Sequence, residues 1–512
     1  LLLPAVEPYT TLPTNSYNIL CLLPYPGKSH HMVFEPILRE LQVRGHNLTV
    51  VSFFPSEFKE NRRDVDLRNL APLHVEIVDL KNVDFTIFGL EKYFEHFPIV
   101  TDLAKIHLHI CEKILDSKQF EEFVDAKGNY DLILVEHFIS DCMLGIIHNY
   151  GLPFVGLMST SLLPWTARRV GAPDNPAYVS DVVLPITEDM SFLERVHNTI
   201  CHYFYLWWFE IVIRWEEQKI LEKKLGRKLP RLEDIGKNTS VVLMNTYHVV
   251  NGVWSIPPSI VEVGGIHLHN KSTQSLDPVS ILEKWVSEAD NGFILFSFGS
   301  LVRGSTLPER RLSAILKIFA RLPQRVVWKW EDTLDNVPNN VLVIKWLPQY
   351  DLLRHRNCVA FITHAGLLGL TEAVSAGVPM LAVPILGDQY GNAAHAERVG
   401  LAKVLRLQHL DEQTFEEALK EVLTSEMRQR AKLYSEIWRD RPNEPMDTAI
   451  YHIERTARHK GLDMSSHARW LSAWELMLLD VFGFLVGVIM AVFLVVRTAY
   501  RLLRRRPKVK QS

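Results

Sequence analysis

The sequence predicts an α/β protein: two successive halves, each a parallel sheet covered by helices, facing a cleft and followed by one C-terminal transmembrane helix. Three observations lead there. Apolar runs of strand length alternate with helical stretches twice along the chain, and a polar, unpatterned stretch separates the two series. Near the end, an apolar run of about twenty residues is followed by a cluster of cations. With 512 residues, 47% hydrophobic and 22% charged, the chain has several domains' worth of length and an ordinary globular composition, which excludes disordered and fibrous classes. Five cysteines, none at C-x-x-C spacing, cannot form a disulfide scaffold or a zinc site of that type.

In the first half, Tyr17 to Leu23 is a continuous apolar run suited to a strand buried on both faces. A turn with Pro24, Pro26 and Gly27 follows, then a helix from about His31 to Arg44 stopped by Gly45, and a strand from Leu48 to Phe54. That is a right-handed βαβ unit. Asp131 to Val135 and Pro153 to Met158 supply further strands. The junction is expected at about Asn270 to Pro278. In the second half, strands are expected at Phe293 to Phe298, Arg325 to Trp330, Val341 to Ile344, Cys358 to Thr363 and Pro379 to Val383, with helices at Leu307 to Leu322 and Leu367 to Ala376. Two Rossmann-like domains with ligands at the carboxyl ends of their strands follow. One segment fits neither sheet. Phe192 to Trp215, rich in Tyr and Trp, is too interrupted to span a bilayer, and two readings stay open: a helix packed on the core, or an aromatic helix lying on the membrane surface.

The anchor is read from Val481 to Val496, which has no charged residue, extended by Leu476 to Leu479 and interrupted once by Asp480. The last sixteen residues carry seven cations, Arg497, Arg501, Arg504, Arg505, Arg506, Lys508 and Lys510, and no acid; of the whole-chain charge of −3, the residues before them therefore hold −10. Cations on one side, with Trp470 and Trp474 on the other, are the flanks of a single span with a cytosolic tail. The acidic body argues against a nucleic-acid partner. Lys508 and Lys510 resemble a dilysine retrieval signal of the endoplasmic reticulum, and Leu1 to Val6 resembles the end of a signal peptide. A single-pass type I protein of that membrane, with its body in the lumen, is the expectation. Asn47, Asn238 and Asn270 are sequons there; Asn47 opens a predicted strand, so the other two are the better glycosylation candidates.

The chemistry-bearing stretches are Trp346-Leu347-Pro348-Gln349, Thr363-His364-Ala365-Gly366 continuing through Glu372, Gly377-Val378-Pro379, and Gly387-Asp388-Gln389. A strand, a turn of small residues and a helix N-terminus offer free N–H groups and the positive dipole end to a phosphate. Phe298-Gly299-Ser300 ends another strand in the same way. Trp346 offers an indole face to a base, and Glu372 can accept from ribose hydroxyls. Asp64-Val65-Asp66 has the D-x-D form of metal-dependent sugar transferases, but with Arg62, Arg63 and Arg68 around it the segment reads as solvated and charged. P-loop and G-x-G-x-x-G fingerprints are absent from the sequence.

Taken together these stretches resemble the donor signature of the UDP-glycosyltransferases, most of all their membrane-bound arthropod members. The likeness covers nearly the whole chain and includes Arg439-Asp440-Arg441-Pro442 through Asp447-Thr448-Ala449. It implies a GT-B fold in which Trp346 stacks on uracil and Gln349 fixes the nucleotide. Ser300, His364 and Gly366 would then hold the diphosphate, Glu372 the ribose, and Asp388 with Gln389 the sugar hydroxyls. Leu368 stands where many relatives place a polar residue. The implied base is a His in a Ser-His pair, hence His30 rather than His31. Its orienting carboxylate is expected to be Asp141, with Glu136, which ends a strand, as the alternative. The resemblance further implies inverting transfer of a hexose, chiefly glucose, from a UDP-sugar to a hydroxyl of a small lipophilic acceptor, without a metal or further cofactor, in a detoxification role. The competing reading is a non-catalytic membrane-anchored binder of UDP-sugar or lipophilic ligands; His30, His364 and Glu372 argue against it, and homo-oligomerisation stays open. The expected divisions are 1–16 lead-in, 17–269 acceptor domain, 270–285 linker, 286–465 donor domain, 476–496 span and 497–512 tail.

Overall fold

A computed structural model describes residues 16–81, 97–253, 255–269 and 280–504. The lead-in, most of the expected linker with the Asn270 sequon, and the lysine signal lie outside the described residues.

Strands β1 (Asn18–Leu23), β2 (Asn47–Ser52), β3 (Arg62–Asp66), β5 (Leu132–Glu136), β6 (Phe154–Met158), β7 (Val241–Met244) and β8 (Ile260–Glu262) form the first sheet, in the order β3-β2-β1-β5-β6-β7-β8 and parallel throughout. The second sheet holds β9 (Phe293–Ser297), β11 (Arg325–Lys329), β12 (Val341–Ile344), β13 (Cys358–Thr363), β14 (Met380–Ala382) and β15 (Ala402–Val404), ordered β12-β11-β9-β13-β14-β15, again parallel. Both strand orders reverse direction at their first strand, between β1 and β5 and between β9 and β13. Ligands bind at such switch points, beyond the strands' carboxyl ends. A two-stranded pair, β4 (Val78–Asp79) with β10 (Val302–Arg303), joins the halves.

The helix Lys28–Val43 shows why the local sequence folds as it does. Val33, Phe34, Ile37, Leu38 and Leu41 fall on one face and are buried against the first sheet. Gly45 follows it with φ +86°, the left-handed conformation that ends a helix and that a side chain disfavours. The last helix of the body, Pro445–Arg458, returns from the second half and buries Met446, Ile450 and Ile453 in the core of the first. Asp64-Val65-Asp66 is corrected: it belongs to edge strand β3, not to a solvated segment. Its Arg62 is buried and shared between Glu35 and Asp64, each 2.9–3.0 Å away, and this pairing lets a charged stretch take a sheet position.

Cys111 and Cys142 form a disulfide. The aromatic segment is one continuous helical stretch, Phe192–Leu225, with a π-helical turn at Phe209–Arg214. Cys201, Tyr205, Trp208 and Phe209 pack inward, while Phe192, Val196, Ile200, Tyr203 and Trp207 form an exposed stripe at helical spacing. Leu479–Arg504 is a single apolar helix of 26 residues, about 39 Å long at 1.5 Å per residue and unburied by the rest of the chain, long enough to cross a membrane.

Candidate active site

One cavity of about 560 Å³ lies between the halves, within the size range of small-molecule sites. His30 sits in the first turn of the helix after β1 and lines it. Its Nδ1 faces Glu136 Oε1 at 2.5 Å and Ser159 Oγ at 2.9 Å, leaving Nε2 as the nitrogen available to the cavity. Glu136 ends β5, Ser159 follows β6, and both are buried. The three neighbouring carboxyl ends of β1, β5 and β6 thus converge on one imidazole. Tyr25 leans over the His30 ring, with centroids 4.4 Å apart, and stacks on His107. His31 points elsewhere, toward Glu35 and against Phe54.

The expectation that Asp141 orients the imidazole is corrected by this geometry. Asp141 is buried on two guanidinium groups: Arg169, and Arg214, whose Nε donates to Oδ2 at 2.8 Å. Those cations hold its carboxyl below the usual range although burial pushes the other way. Glu217 completes the knot, accepting from the Asp141 N–H at 2.6 Å and from Ser140 Oγ at 2.5 Å. Burial, with Asp141 alongside, pushes Glu217 up to about 8. Glu136 takes the position beside His30.

Across the cavity stand the turns after β9 and β13. His364 is packed between two glycines: a Cβ on Gly299 would lie 2.5 Å from its ring Cε1, and one on Gly366 2.5 Å from Nε2. Ala365 between them has φ +61°, a conformation that costs a non-glycine residue about 1–3 kcal/mol and is typical of ligand-holding turns. Burial, with Lys329 nearby, pushes His364 down to about 4, so it is a neutral imidazole at physiological pH. Gly366 caps the buried helix Leu367–Ala376, and the first turn of that helix, Leu367 to Gly369, lines the cavity together with Ser300 and His364. Gln349 donates to Glu372 Oε2 at 2.6 Å, placing both groups together on the cavity wall that Trp346 also lines. Trp346 is half exposed, and the Lys28 ammonium lies 3.8 Å over its ring. Asp388 precedes the helix Gln389–Arg398 and accepts from Asn392 Nδ2 at 3.0 Å; burial raises its pKa. Gln389 Oε1 accepts from the Ile385 and Leu386 N–H groups. All eight expected donor residues, Ser300, Trp346, Gln349, His364, Gly366, Glu372, Asp388 and Gln389, line this cavity with His30.

A feature that sequence reasoning missed ties the two sides together. Residues 74–81 run from the His30 turn to the Ser300 turn. The His74 N–H donates to Pro26 O at 2.9 Å and the Glu76 N–H to Ser300 O at 2.8 Å, and β4 pairs with β10. Leu80, from the first half, is fully buried in the core of the second, and its N–H donates to Thr306 Oγ1 at 2.8 Å. Glu76 reaches Lys329 Nζ at 3.4 Å. The bare pattern of residues 74–81 carries no signal for such a strap. Sequence reasoning also missed Ser159, although its place directly after a parallel strand is a signal that could have found it.

The family model for "UDP-glucoronosyl and UDP-glucosyl transferase" matches residues 20–511. The chain belongs to this family. It is 32% identical over 488 residues to UDP-glucosyltransferase 2 of Dactylopius coccus, covering 94% of this chain and 92% of that protein. It is also 28% identical to human UDP-glucuronosyltransferase 1A9, covering 92% and 89%. Among solved structures, the calicheamicin glycosyltransferase CalG4 matches with a TM-score of 0.56 at 18% identity, over 87% of this chain and 99% of that one. Arabidopsis thaliana UGT89C1, complexed with UDP-L-rhamnose, matches with 0.55 at 14%, over 87% and 100%. The fold is GT-B, and the protein is a UDP-glycosyltransferase, an enzyme that moves a sugar from a UDP-sugar.

Proposed function

We propose that the enzyme transfers glucose from UDP-glucose to the hydroxyl of a small lipophilic acceptor, with inversion at the anomeric carbon. The observation that carries this reading is the His30 imidazole, backed by Glu136 at 2.5 Å, facing the His364–Gly366 turn across one cavity. Glu136 holds the Nδ1–H tautomer, so Nε2 is free to take the acceptor's proton. The acceptor oxygen forms its bond to C1 as the bond from C1 to the phosphate oxygen breaks, and UDP leaves from the opposite face with the electron pair. Glu136 stabilises the imidazolium formed. The Ser300 turn and the N–H groups at Gly366 receive the charge on the departing diphosphate. Uracil stacks on Trp346 beside Gln349, and Glu372 accepts from the ribose.

A neutral hexose suits the sugar end. Asp388 and Gln389 form that end, no arginine among the described residues lines the cavity, and the Lys329 ammonium is engaged by Glu331 Oε1 at 2.7 Å and by Glu76. A uronate carboxylate would meet an acid there. The acceptor end, formed by Leu103, Phe138, Ile139, Leu163, Trp165, Val183 and Tyr205, is apolar, as a lipophilic acceptor requires. The body is assigned to the lumen of the endoplasmic reticulum and the tail to the cytosol, on the cation bias of the anchor's flanks.

The test offers the enzyme UDP-glucose, UDP-glucuronate and other UDP-sugars with mixed phenols. Mass spectrometry identifies the conjugate and NMR its anomeric configuration. A β-glucoside formed by wild type and lost in His30→Ala is expected. An α-linked product, a uronide preference, or unchanged turnover by His30→Ala overturns the proposal.

A further inference from the structure

The hydrogen bonds of His30 do not by themselves fix its ring. Glu136 and Ser159 both meet the same atom, Nδ1, at 2.5 and 2.9 Å. Two partners at one nitrogen hold one corner of the imidazole. The last side-chain torsion of a histidine has broad wells, so the plane of the ring, and with it the direction of Nε2, is left to whatever packs on it. Two aromatic rings do so. The Tyr25 ring lies 4.4 Å from the His30 centroid, tilted by 53°, and the Phe138 ring lies 4.5 Å away at 73°. They come from different strand ends, Tyr25 two residues beyond β1 and Phe138 two beyond β5. Tyr25 is itself held. His107 stacks on it at 5.2 Å with the planes 5° apart, Phe138 lies 5.1 Å away, and its hydroxyl meets His74 Nδ1 at 3.2 Å. Burial, with Glu136 alongside, pushes the Tyr25 pKa up, so the group is a neutral phenol and not a base.

The residue that opens the helix carrying His30 shows how tightly this ring is seated. Gly27 has φ −83° and ψ 117°, which any residue adopts, so its backbone does not call for glycine. A Cβ there would lie 2.3 Å from Tyr25 Cε1 and 2.8 Å from Cδ1. The ring, already held by His107, Phe138 and His74, has to move before a side chain at position 27 fits. We propose that Tyr25 is a positioning residue for the base: its ring, with that of Phe138, clamps the His30 imidazole so that Nε2 faces the acceptor hydroxyl, and Gly27 lacks a side chain to leave room for it. This rests on the reading of His30 as the base. The clamp acts on the reacting atoms, where a misplacement of about 1 Å can cost 10²-fold in rate. It leaves untouched the residues proposed to hold the nucleotide, which belong to the other sheet.

The test compares the full chain in detergent as wild type, Tyr25→Leu, Tyr25→Phe, Gly27→Ala and the double variant Gly27→Ala/Tyr25→Leu. Tyr25→Leu and Gly27→Ala are each expected to lose roughly 10- to 100-fold in kcat toward a phenol. The KM for the UDP-sugar, calorimetric UDP affinity and Tm should stay near wild type and so report an intact fold. Tyr25→Phe, which keeps the ring, is expected to recover most of the rate. The double variant should be no slower than Tyr25→Leu, because the added Cβ then has no ring to displace. NMR of isotope-labelled histidine rings reads the clamp without turnover. The His30 signal, identified by its loss in His30→Ala, is expected to be one sharp line in wild type and Tyr25→Phe, and to broaden or split in Tyr25→Leu and Gly27→Ala. Unchanged turnover by His30→Ala counts against the proposed reaction and leaves that signal to decide the clamp. An unchanged His30 signal in Tyr25→Leu, an unchanged kcat in it where His30→Ala is slowed, or losses that multiply in the double variant overturn the inference.

Discussion

Replacing Glu136 and Asp141 separately discriminates the two carboxylates that the sequence put forward. In Glu136→Gln, the charge 2.5 Å from His30 Nδ1 is removed while shape and burial are kept. A hydrogen bond to a charged group contributes about 1.5–3 kcal/mol, and tenfold in rate corresponds to about 1.36 kcal/mol. The loss falls in kcat, because the carboxylate acts when the imidazole becomes charged, and amounts to roughly 10- to 150-fold. UDP affinity and Tm should barely move. Asp141→Asn should do the reverse. It leaves Arg169 and Arg214 buried with a diminished partner, and breaking a buried ion pair costs about 3–5 kcal/mol of stability. Steady-state turnover of a phenol, calorimetric UDP binding and thermal unfolding are measured on both variants. If Asp141→Asn loses kcat with its Tm intact, or if Glu136→Gln turns over like wild type, then the assignment of Glu136 as the orienting group is wrong.

Further measurements check other parts of the site. Trp346→Ala should weaken UDP binding by about 1–3 kcal/mol, the range for a base stacked on an aromatic ring. Lys28→Ala should strengthen it, since the ammonium lies over the ring on which uracil is proposed to stack and a cation–π contact is worth about 0.5–1 kcal/mol; weaker binding would instead make Lys28 a ligand for the nucleotide. Glu217, raised to about 8, keeps its proton in the folded protein where the unfolded chain has lost it. Its stabilising contribution is therefore full below about pH 4.5 and is lost as pH rises toward 8. Glu217→Gln mimics the protonated form, so its denaturation midpoint should gain on wild type with rising pH across that window, by at most about 1.36 kcal/mol per pH unit; a constant difference refutes the titration. Leu80→Ala, which empties a fully buried position in the second half's core, should cost about 2–5 kcal/mol in thermal unfolding, and an unchanged Tm would mean that the strap is not docked.

The two parallel sheets were legible because buried parallel strands read as unbroken apolar runs: Ile19 to Leu23 and Phe293 to Ser297 are buried at every position. Short strands such as β8 and β15, three residues each, fall below what such a pattern carries. The donor side was legible too, since Trp346 to Gln389 is a local run in which strand, turn and helix follow directly. The base side was only half so. His30, Glu136 and Ser159 come from three separate strand ends, and Asp141 lies only five residues beyond Glu136. The choice between them is set by Arg169 and Arg214, which arrive from distant helices to claim Asp141. A sequence does not show which partner a carboxylate has already been given.

The strap from His74 to Leu80 bears on how one active site forms from two halves. The proposed transfer needs its base and the departing diphosphate on opposite faces of the sugar, yet the residues proposed for them lie on different sheets, with His30 after β1 and Ser300 after β9. Two cores joined only by a linker would leave their separation free, and a misplacement of about 1 Å can cost 10²-fold in rate. Here the same short segment donates to Pro26 O, in the turn that leads to His30, and to Ser300 O, in the turn after β9, and buries Leu80 beyond it. The returning helix Pro445–Arg458 fastens the halves a second time, through Ile450 and Ile453. The cleft is thus set by backbone hydrogen bonds at its reacting end and by apolar packing behind it. The apolar walls that the first half gives the cavity can vary without disturbing either.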